Sequence, residues 1–293
     1  MDRIIDKIKW KYNLSKSLDP CFIIRTGKKD LPSALNGLVF IITSSDFGLG
    51  TGIVYDLEER GAKVYRLSHG YCYDMSDAKK IEAFCDDIKS KETKLDGIIN
   101  LASCMNLEYE TNALGIEKTF AINVVCPYLL FMNLHPLLEK SAGPRVLVLL
   151  NPFFVNEKLE PNDINFSSIR YGSWKVFIQC ERRRMELWKH LANEYPNIRF
   201  NSINPGFMDT SELEEKLPAF YKKYQRNLRW SYYGNYFVEW CAISEKISSI
   251  PSGVLITNKK PAKEYIFQHN KASQQEHQKF INNFMLLVKK AIN

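Results

Sequence analysis

Length, composition and charge limit what this chain can be. Its 293 residues suffice for one large α/β domain, and 45% apolar with 25% charged residues is typical of a folded globular protein. The net charge of +7 is spread along the chain, so no nucleic-acid partner is expected. Seven scattered cysteines without a Cys-x-x-Cys pair argue against a disulfide framework or a metal site. They predict an intracellular protein, cytoplasmic or mitochondrial and not secreted.

The first 35 residues are predicted to form an amphipathic extension. Apolar residues of this segment share one helical face, with charges on the rest; they are Met1, Ile4, Ile5, Ile8 and Tyr12. No secretory signal pattern is found. The most apolar stretch, residues 124–138, is interrupted by Pro127 and Pro136, so we predict no transmembrane helix.

From residue 36 onward, short apolar runs alternate with amphipathic segments. Predicted strands cover residues 38–43, 62–67, 95–100, 145–150, 198–203 and 252–257. Predicted helices cover residues 47–60, 76–88, 115–140 and 176–194, and a last helix opens at Ser273. Such alternation implies parallel pairing, so we predict an α/β fold with a doubly wound parallel sheet, a Rossmann fold. Ligands are expected at the carboxyl ends of its strands.

Three segments follow from this pattern: the extension 1–35, one domain over residues 36–262, and a C-terminal helix in residues 263–293 packed on that domain. Ser273 and Glu276 have the spacing of a capping box at the start of the last helix. The basic run Arg182–Arg184 is expected on the wet face of helix 176–194.

A glycine-containing turn follows the first predicted strand and reads Thr43-Ser-Ser-Asp-Phe-Gly48-Leu-Gly50. Glycines at such a place let backbone amides approach a pyrophosphate at a helix N-terminus. This turn, with Asn100-Leu-Ala-Ser103 and Pro205-Gly206, resembles the short-chain dehydrogenase/reductases, and the phrasing is similar to their retinol-dehydrogenase-like branch. The resemblance implies NADP or NAD as cofactor, held by Ser44, Asp46, Phe47, Gly48, Leu49, Gly50, Arg66, Asp74, Asn100, Ala102, Pro205 and Gly206.

Several positions depart from the family pattern. Ser44 stands where the family has its first glycine, and Leu101 and Ser103 alter the second motif. The connection from the second strand to Asp74 leaves little room for a further helix. The sequence therefore leaves nucleotide binding open.

Two registers compete for the catalytic Tyr-x-x-x-Lys of the resembled family. Tyr171 and Lys175 spell the motif, but Tyr171 precedes Pro205 by 34 residues. Phe177 precedes it by 28 residues, and the branch has roughly 28 to 30, set by the helix and strand between. In the second register Asn151, Phe177 and Glu181 replace the family's serine, tyrosine and lysine, while Asn123 matches its helix asparagine.

The second register removes the acid–base chemistry. Phe177 has no ionisable group, and a carboxylate at position 181 raises rather than lowers the pKa of a nearby acid. We therefore predict a catalytically degenerate member of this family that serves as a structural or regulatory subunit of a larger assembly. Its expected partners are other proteins, and a homo-oligomer is also compatible with the sequence. One alternative is an active NADP(H)-dependent carbonyl reductase or alcohol dehydrogenase that acts on an apolar substrate through Tyr171 and Lys175. The other is a non-catalytic NADP(H) sensor.

Overall fold

The computed structural model of this protein describes residues 30–46, 48–68, 75–168, 170–216 and 218–292. The predicted amphipathic helix at the N-terminus lies outside the described residues, as do two predicted cofactor contacts, Phe47 and Asp74. These remain predictions.

One sheet organises the described part of the chain. Its strands are β1 (Val39–Thr43), β2 (Lys63–Leu67), β3 (Gly97–Asn100), β4 (Arg145–Leu149), β5 (Arg199–Ile203), β6 (Leu255–Thr257) and β7 (Lys260–Ala262). The spatial order is β2-β1-β3-β4-β5-β6-β7. The first six strands pair in parallel and β7 is antiparallel to β6. The predicted parallel α/β sheet is confirmed; β7 went unpredicted because three residues that include Pro261 give no strand signal.

Helices cover both faces of this sheet. They are α1 (Gly48–Glu59), α2 (Ala78–Lys91), α3 (Lys118–Leu138), α4 (Ser173–Glu194), α5 (Ser211–Lys216), α6 (Pro218–Tyr224), α7 (Ser231–Ile243) and α8 (Gln274–Ile292). α3 contains a π-helical segment, Ala121–Val125. The sequence predicts α2 to start at residue 76, but Asp77 caps it, since its carboxylate accepts from the Lys79 and Lys80 amides. Trp230 is the residue before α7, and Ser231 opens that helix.

Two apolar cores lie on opposite faces of the sheet. α2, α3, α4 and α8 enclose the larger core, which includes Phe84, Phe131, Trp188 and Phe284. α1 and α7 enclose the smaller core, which includes Leu57 and Phe237. Parallel strands buried on both faces read as continuous apolar runs, which is why periodicity located them.

Among the described residues, α3 is the helix long and apolar enough to cross a membrane by length and composition. Within its most apolar 18-residue window, 72% is buried inside the protein. It has the packing of a core helix.

The prediction that Arg182, Arg183 and Arg184 face water is wrong. All three side chains are at most 1% exposed, because Arg182 contacts the segment after β7, Arg183 the segment before α4, and Arg184 the loop after β3. The Arg183 guanidinium lies over the Phe166 ring and donates to the carbonyls of Glu160, Asp163 and Ile164. Burying these charges is tolerable only because carboxylates and carbonyl oxygens receive their hydrogen bonds.

Candidate functional site

The carboxyl ends of β1 and β3 are joined by Thr43. Its hydroxyl donates to Asn100 Oδ1 at 2.9 Å and accepts from the amides of Leu101 and Ala102 at 3.0 and 2.9 Å. These hydrogen bonds hold the ends of β1 and β3 together at the edge of the sheet where the sequence predicts a ligand.

The turn from β1 into α1 has the close backbone approach that the sequence suggested. A Cβ on Gly50 would lie 2.2 Å from the Ser44 carbonyl oxygen, so glycine is required there. Gly48 has φ of 51° and Ser44 has φ of 55°. The serine therefore adopts a left-handed conformation that favours glycine, at a cost of about 1–2 kcal/mol.

Three buried polar atoms lie at this edge of the sheet. Ser45 Oγ, Ser68 Oγ and Asn100 Nδ2 follow or end β1, β2 and β3, and none has a hydrogen-bond partner among the described residues. Buried polar atoms are normally satisfied by protein, water or ligand. Together with the glycine turn at the start of α1, they fit the pyrophosphate and ribose portion of a dinucleotide.

Two other predicted cofactor contacts have structural partners. Arg66 forms an ion pair with Glu58 of α1, with Nη2 2.6 Å from Oε2. The Leu49 side chain packs on α7, because a Cβ on Gly234 would lie 2.6 Å from Leu49 Cδ2. Asp46 is half-buried in the turn.

The loop after β5 is covered by Arg229, a residue that the sequence did not single out. Arg229 is 2% exposed, and its Nη1 donates to the Pro205 carbonyl at 2.7 Å. Its side chain also lies on Gly206, whose φ is 100° and whose added Cβ would meet Arg229 Cδ at 3.0 Å. The predicted contact loop is therefore braced by a guanidinium.

The side-chain amide of Asn123 forms two hydrogen bonds with the backbone of Cys104. Its Oδ1 accepts from the Cys104 amide at 2.8 Å and its Nδ2 donates to the Cys104 carbonyl at 2.7 Å. The π-helical segment of α3 turns this side chain toward the loop after β3. Asn123 thus pins that loop.

Glu181 lies against the end of β4. Its Oε2 accepts from the Asn151 amide at 2.6 Å, and its Oε1 is 2.8 Å from Arg184 Nη1. Arg184 also reaches the Ala102 carbonyl at 3.4 Å, so this pair bridges the loops after β3 and β4. Burial raises the pKa of Glu181, while Arg184 and the Asn151 amide act in the opposite direction.

Phe177 belongs to an aromatic cluster one turn before Glu181. It lies 6.0 Å from Trp174 between ring centroids, and Phe153 joins Trp174 and Phe207 at 5.2 and 5.3 Å. Phe220 of α6 packs on Phe207 at 5.5 Å. Apolar rings therefore fill the space between the loops after β4 and β5 and the start of α4.

The Tyr171 and Lys175 side chains contact different partners and do not converge on one site. Tyr171 precedes α4, and its hydroxyl donates to the buried Glu117 carboxylate at 3.0 Å. Burial, with the Glu117 charge, raises the pKa of Tyr171 well above its ordinary value. Lys175 is half-exposed and pairs with Glu160 at 3.0 Å. A tyrosine that transfers a proton near neutral pH needs a lowered pKa. The surroundings of Tyr171 act in the opposite direction.

The site therefore has two different halves. The turn after β1 fits the diphosphate of NADP or NAD, which would supply hydride chemistry when bound. At the end of β4, Phe177 and the Glu181–Arg184 pair provide no hydroxyl for proton transfer. Within the described ranges, no cluster of three His, Cys, Asp or Glu side chains could hold a metal ion.

Sequence reasoning missed Arg184, Arg229 and Glu117. Only Arg184 carried a signal, since it stands three residues after Glu181 on one helix face. Arg229 is brought to the site by a loop whose path periodicity does not reveal, and Glu117 by the N-terminal end of α3, which it caps.

The sheet order and its flanking helices define a doubly wound α/β protein with a Rossmann-like fold. No family model matches the sequence. The chain is 28% identical over 259 residues to the human dehydrogenase/reductase SDR family member 12, covering 81% of each chain. It is 23% identical over 214 residues to mouse retinol dehydrogenase 14, covering 61% of this chain and 64% of that one.

A solved structure shares the architecture. The short-chain dehydrogenase from Shigella flexneri complexed with NADP superposes with a TM-score of 0.60 at 18% identity, covering 77% of this chain and 98% of that one. The chain is similar to the short-chain dehydrogenase/reductases and has retinol-dehydrogenase-like relatives. The expected resemblance is confirmed.

Proposed function

We propose that this chain is a short-chain dehydrogenase/reductase without acid–base catalysis that serves as a structural or regulatory subunit of a larger assembly. The observation that carries the proposal is the buried Glu181–Arg184 pair at the Asn151 amide. A carboxylate held by a guanidinium and an amide cannot supply the positive charge that lowers the pKa of a catalytic acid. The neighbouring Phe177 has no proton to transfer.

The main alternative is an active NADP(H)-dependent oxidoreductase that uses Tyr171 and Lys175 on an apolar substrate. Its support is the motif spelling and the family itself. Against it stands the hydrogen bond from Tyr171 to Glu117, which favours the neutral phenol. Lys175 forms an ion pair with Glu160 instead.

Binding of NADP or NAD without turnover is the second alternative, a nucleotide sensor. The glycine-dependent contact of Gly50 with Ser44 supports it, as do the Ser45 and Ser68 hydroxyls, which find no partner in the part of the chain that the structure describes. The Shigella flexneri relative was solved with NADP. This function is compatible with the subunit role.

We propose that protein partners bind an exposed aromatic surface at the start of α7. Trp230 is 58% exposed and Tyr232 is 38% exposed at the start of α7. Aromatic side chains of this kind supply much of the binding energy at protein interfaces. A homo-oligomer would use the same kind of surface.

Turnover distinguishes the proposals. NADH and NADPH are titrated by fluorescence, and oxidation is followed with a panel of aldehydes and retinoids. We expect no turnover for the wild-type protein and no difference in Tyr171→Phe. Turnover that is lost in Tyr171→Phe and retained in the control Tyr109→Phe would overturn the proposal and establish the oxidoreductase.

Assembly is tested separately. The native complex is sized from cells that carry wild-type protein, Trp230→Ala or the control Leu286→Ala, whose residue is 67% exposed on α8. We expect the Trp230 variant alone to leave the complex. A wild-type chain that migrates only as a monomer would contradict the subunit role without bearing on catalysis.

A further inference from the structure

A cavity of about 170 Å³ lies between α4, the segment after β7 and the approach to α8. None of its lining residues belongs to the candidate site at the carboxyl ends of the strands. Its polar lining consists mainly of Arg182, Glu186, Lys189, Lys263, Glu264 and Lys271.

Cations outnumber carboxylates around this cavity. Four side chains are cationic, Arg182, Lys189, Lys263 and Lys271, against the two carboxylates of Glu186 and Glu264. The formal excess is therefore two positive charges. Concave sites with one sign of charge concentrate ligands of the opposite sign.

The two carboxylates orient two of the four cations, Arg182 and Lys189. Glu186 Oε1 is 2.8 Å from Arg182 Nη2, and its Oε2 is 2.8 Å from His277 Nδ1. Glu264 Oε2 is 3.2 Å from Lys189 Nζ, while its backbone carbonyl accepts from Arg182 Nη1 at 2.8 Å. Arg182 is 1% exposed, and its Nε has no partner among the described residues. A buried guanidinium is thus held beside the cavity with one N–H to spare.

We propose that this cavity binds a phosphate group. A phosphate monoester carries about −1.5 to −2 charge at pH 7, which matches the excess of two. The volume corresponds to roughly five or six waters at about 30 Å³ each, which is room for a tetrahedral oxyanion and part of its shell. Guanidinium and ammonium groups are the usual phosphate donors in proteins. This site is independent of the proposed function.

Inorganic phosphate is the first probe, titrated calorimetrically into the full chain at constant ionic strength in chloride. We expect saturable binding of one phosphate per chain. Lys263→Glu and Lys271→Glu each should weaken it about tenfold, because a cation becomes an anion beside the cavity. The matched control Lys290→Glu, near the other end of α8, should stay within about twofold of wild type.

Three results would overturn the proposal. They are no saturable binding up to ~20 mM phosphate, equal weakening by Lys290→Glu, and unchanged binding in both cavity variants, which would assign the phosphate elsewhere, such as the turn after β1. Circular dichroism confirms that each variant is folded. Glycerol 3-phosphate and phosphoserine then serve as ester probes, and an ester that binds more tightly than phosphate distinguishes an organic ligand from the free ion.

Discussion

Glu181 and Arg184 depend on one another because both are fully buried. We expect Glu181→Gln to lower the free energy of unfolding by about 3–5 kcal/mol, since it leaves a guanidinium without its carboxylate. The double variant Glu181→Leu with Arg184→Met removes both charges and should recover most of that loss. Urea unfolding at pH 7 measures each. A single variant as stable as wild type would show that the pair is dispensable.

Gly50 is the second residue on which the site depends. Gly50→Ala brings a Cβ to 2.2 Å from the Ser44 carbonyl, so α1 must shift, and we expect a loss of about 1–3 kcal/mol. Gly143→Ala is the matched control, because its Cβ would meet nothing within 4 Å. That control should be neutral or stabilised by up to about 1 kcal/mol. Equal thermal stability of the two variants would contradict the close approach.

Among the helices, α8 has a capping box with a measurable pH dependence. Glu276 accepts from the Ser273 amide at 2.9 Å and pairs with Lys158. The Ser273 amide, followed by Lys158, lowers the pKa of Glu276 from 4.5 to about 2. A carboxyl group whose pKa falls on folding stabilises the protein above its unfolded pKa, and that contribution is lost as pH decreases toward the folded value.

We therefore expect Glu276→Ala to lower stability by about 1 kcal/mol at pH 7. The difference from wild type should shrink between about pH 4.5 and pH 2. Chemical unfolding across that range measures it, with Glu82→Ala on the exposed face of α2 as control. A difference that does not change with pH would argue against the ionic cap.

At the scale of the whole molecule, α8 joins the domain through a shared core. Phe284 is fully buried and packs edge-on against Tyr128 at 5.1 Å and Phe120 at 6.2 Å. Phe284→Ala should cost about 3–5 kcal/mol and lower the midpoint of one cooperative transition. Leu286→Ala, at an exposed position on the same helix, should change little. Two separate thermal transitions in calorimetry would mean that α8 is an independent unit.

Most of the elements could be predicted from the sequence, because the strands are buried on both faces and most of the helices bury one clear apolar stripe. The six parallel strands appear as apolar runs, and the capping box located α8. The three helices between residues 211 and 243 were missed, since α5 and α6 are short and α7 is apolar on most of its surface. Their sequences lack the periodicity on which such predictions depend.

The sequence alone therefore determined the α/β class, the parallel sheet and the glycine turn. Each of these leaves its pattern in residues that are close together along the chain: apolar runs for buried strands and glycines for a tight turn. Tertiary structure decided the burial of Arg182–Arg184, the Glu181 contact with Asn151 and the turning of Tyr171 to Glu117. The partners of these side chains on other elements lie between 19 and 82 positions away along the chain. Whether a charge faces water or a partner is set by packing between elements, which local pattern does not encode.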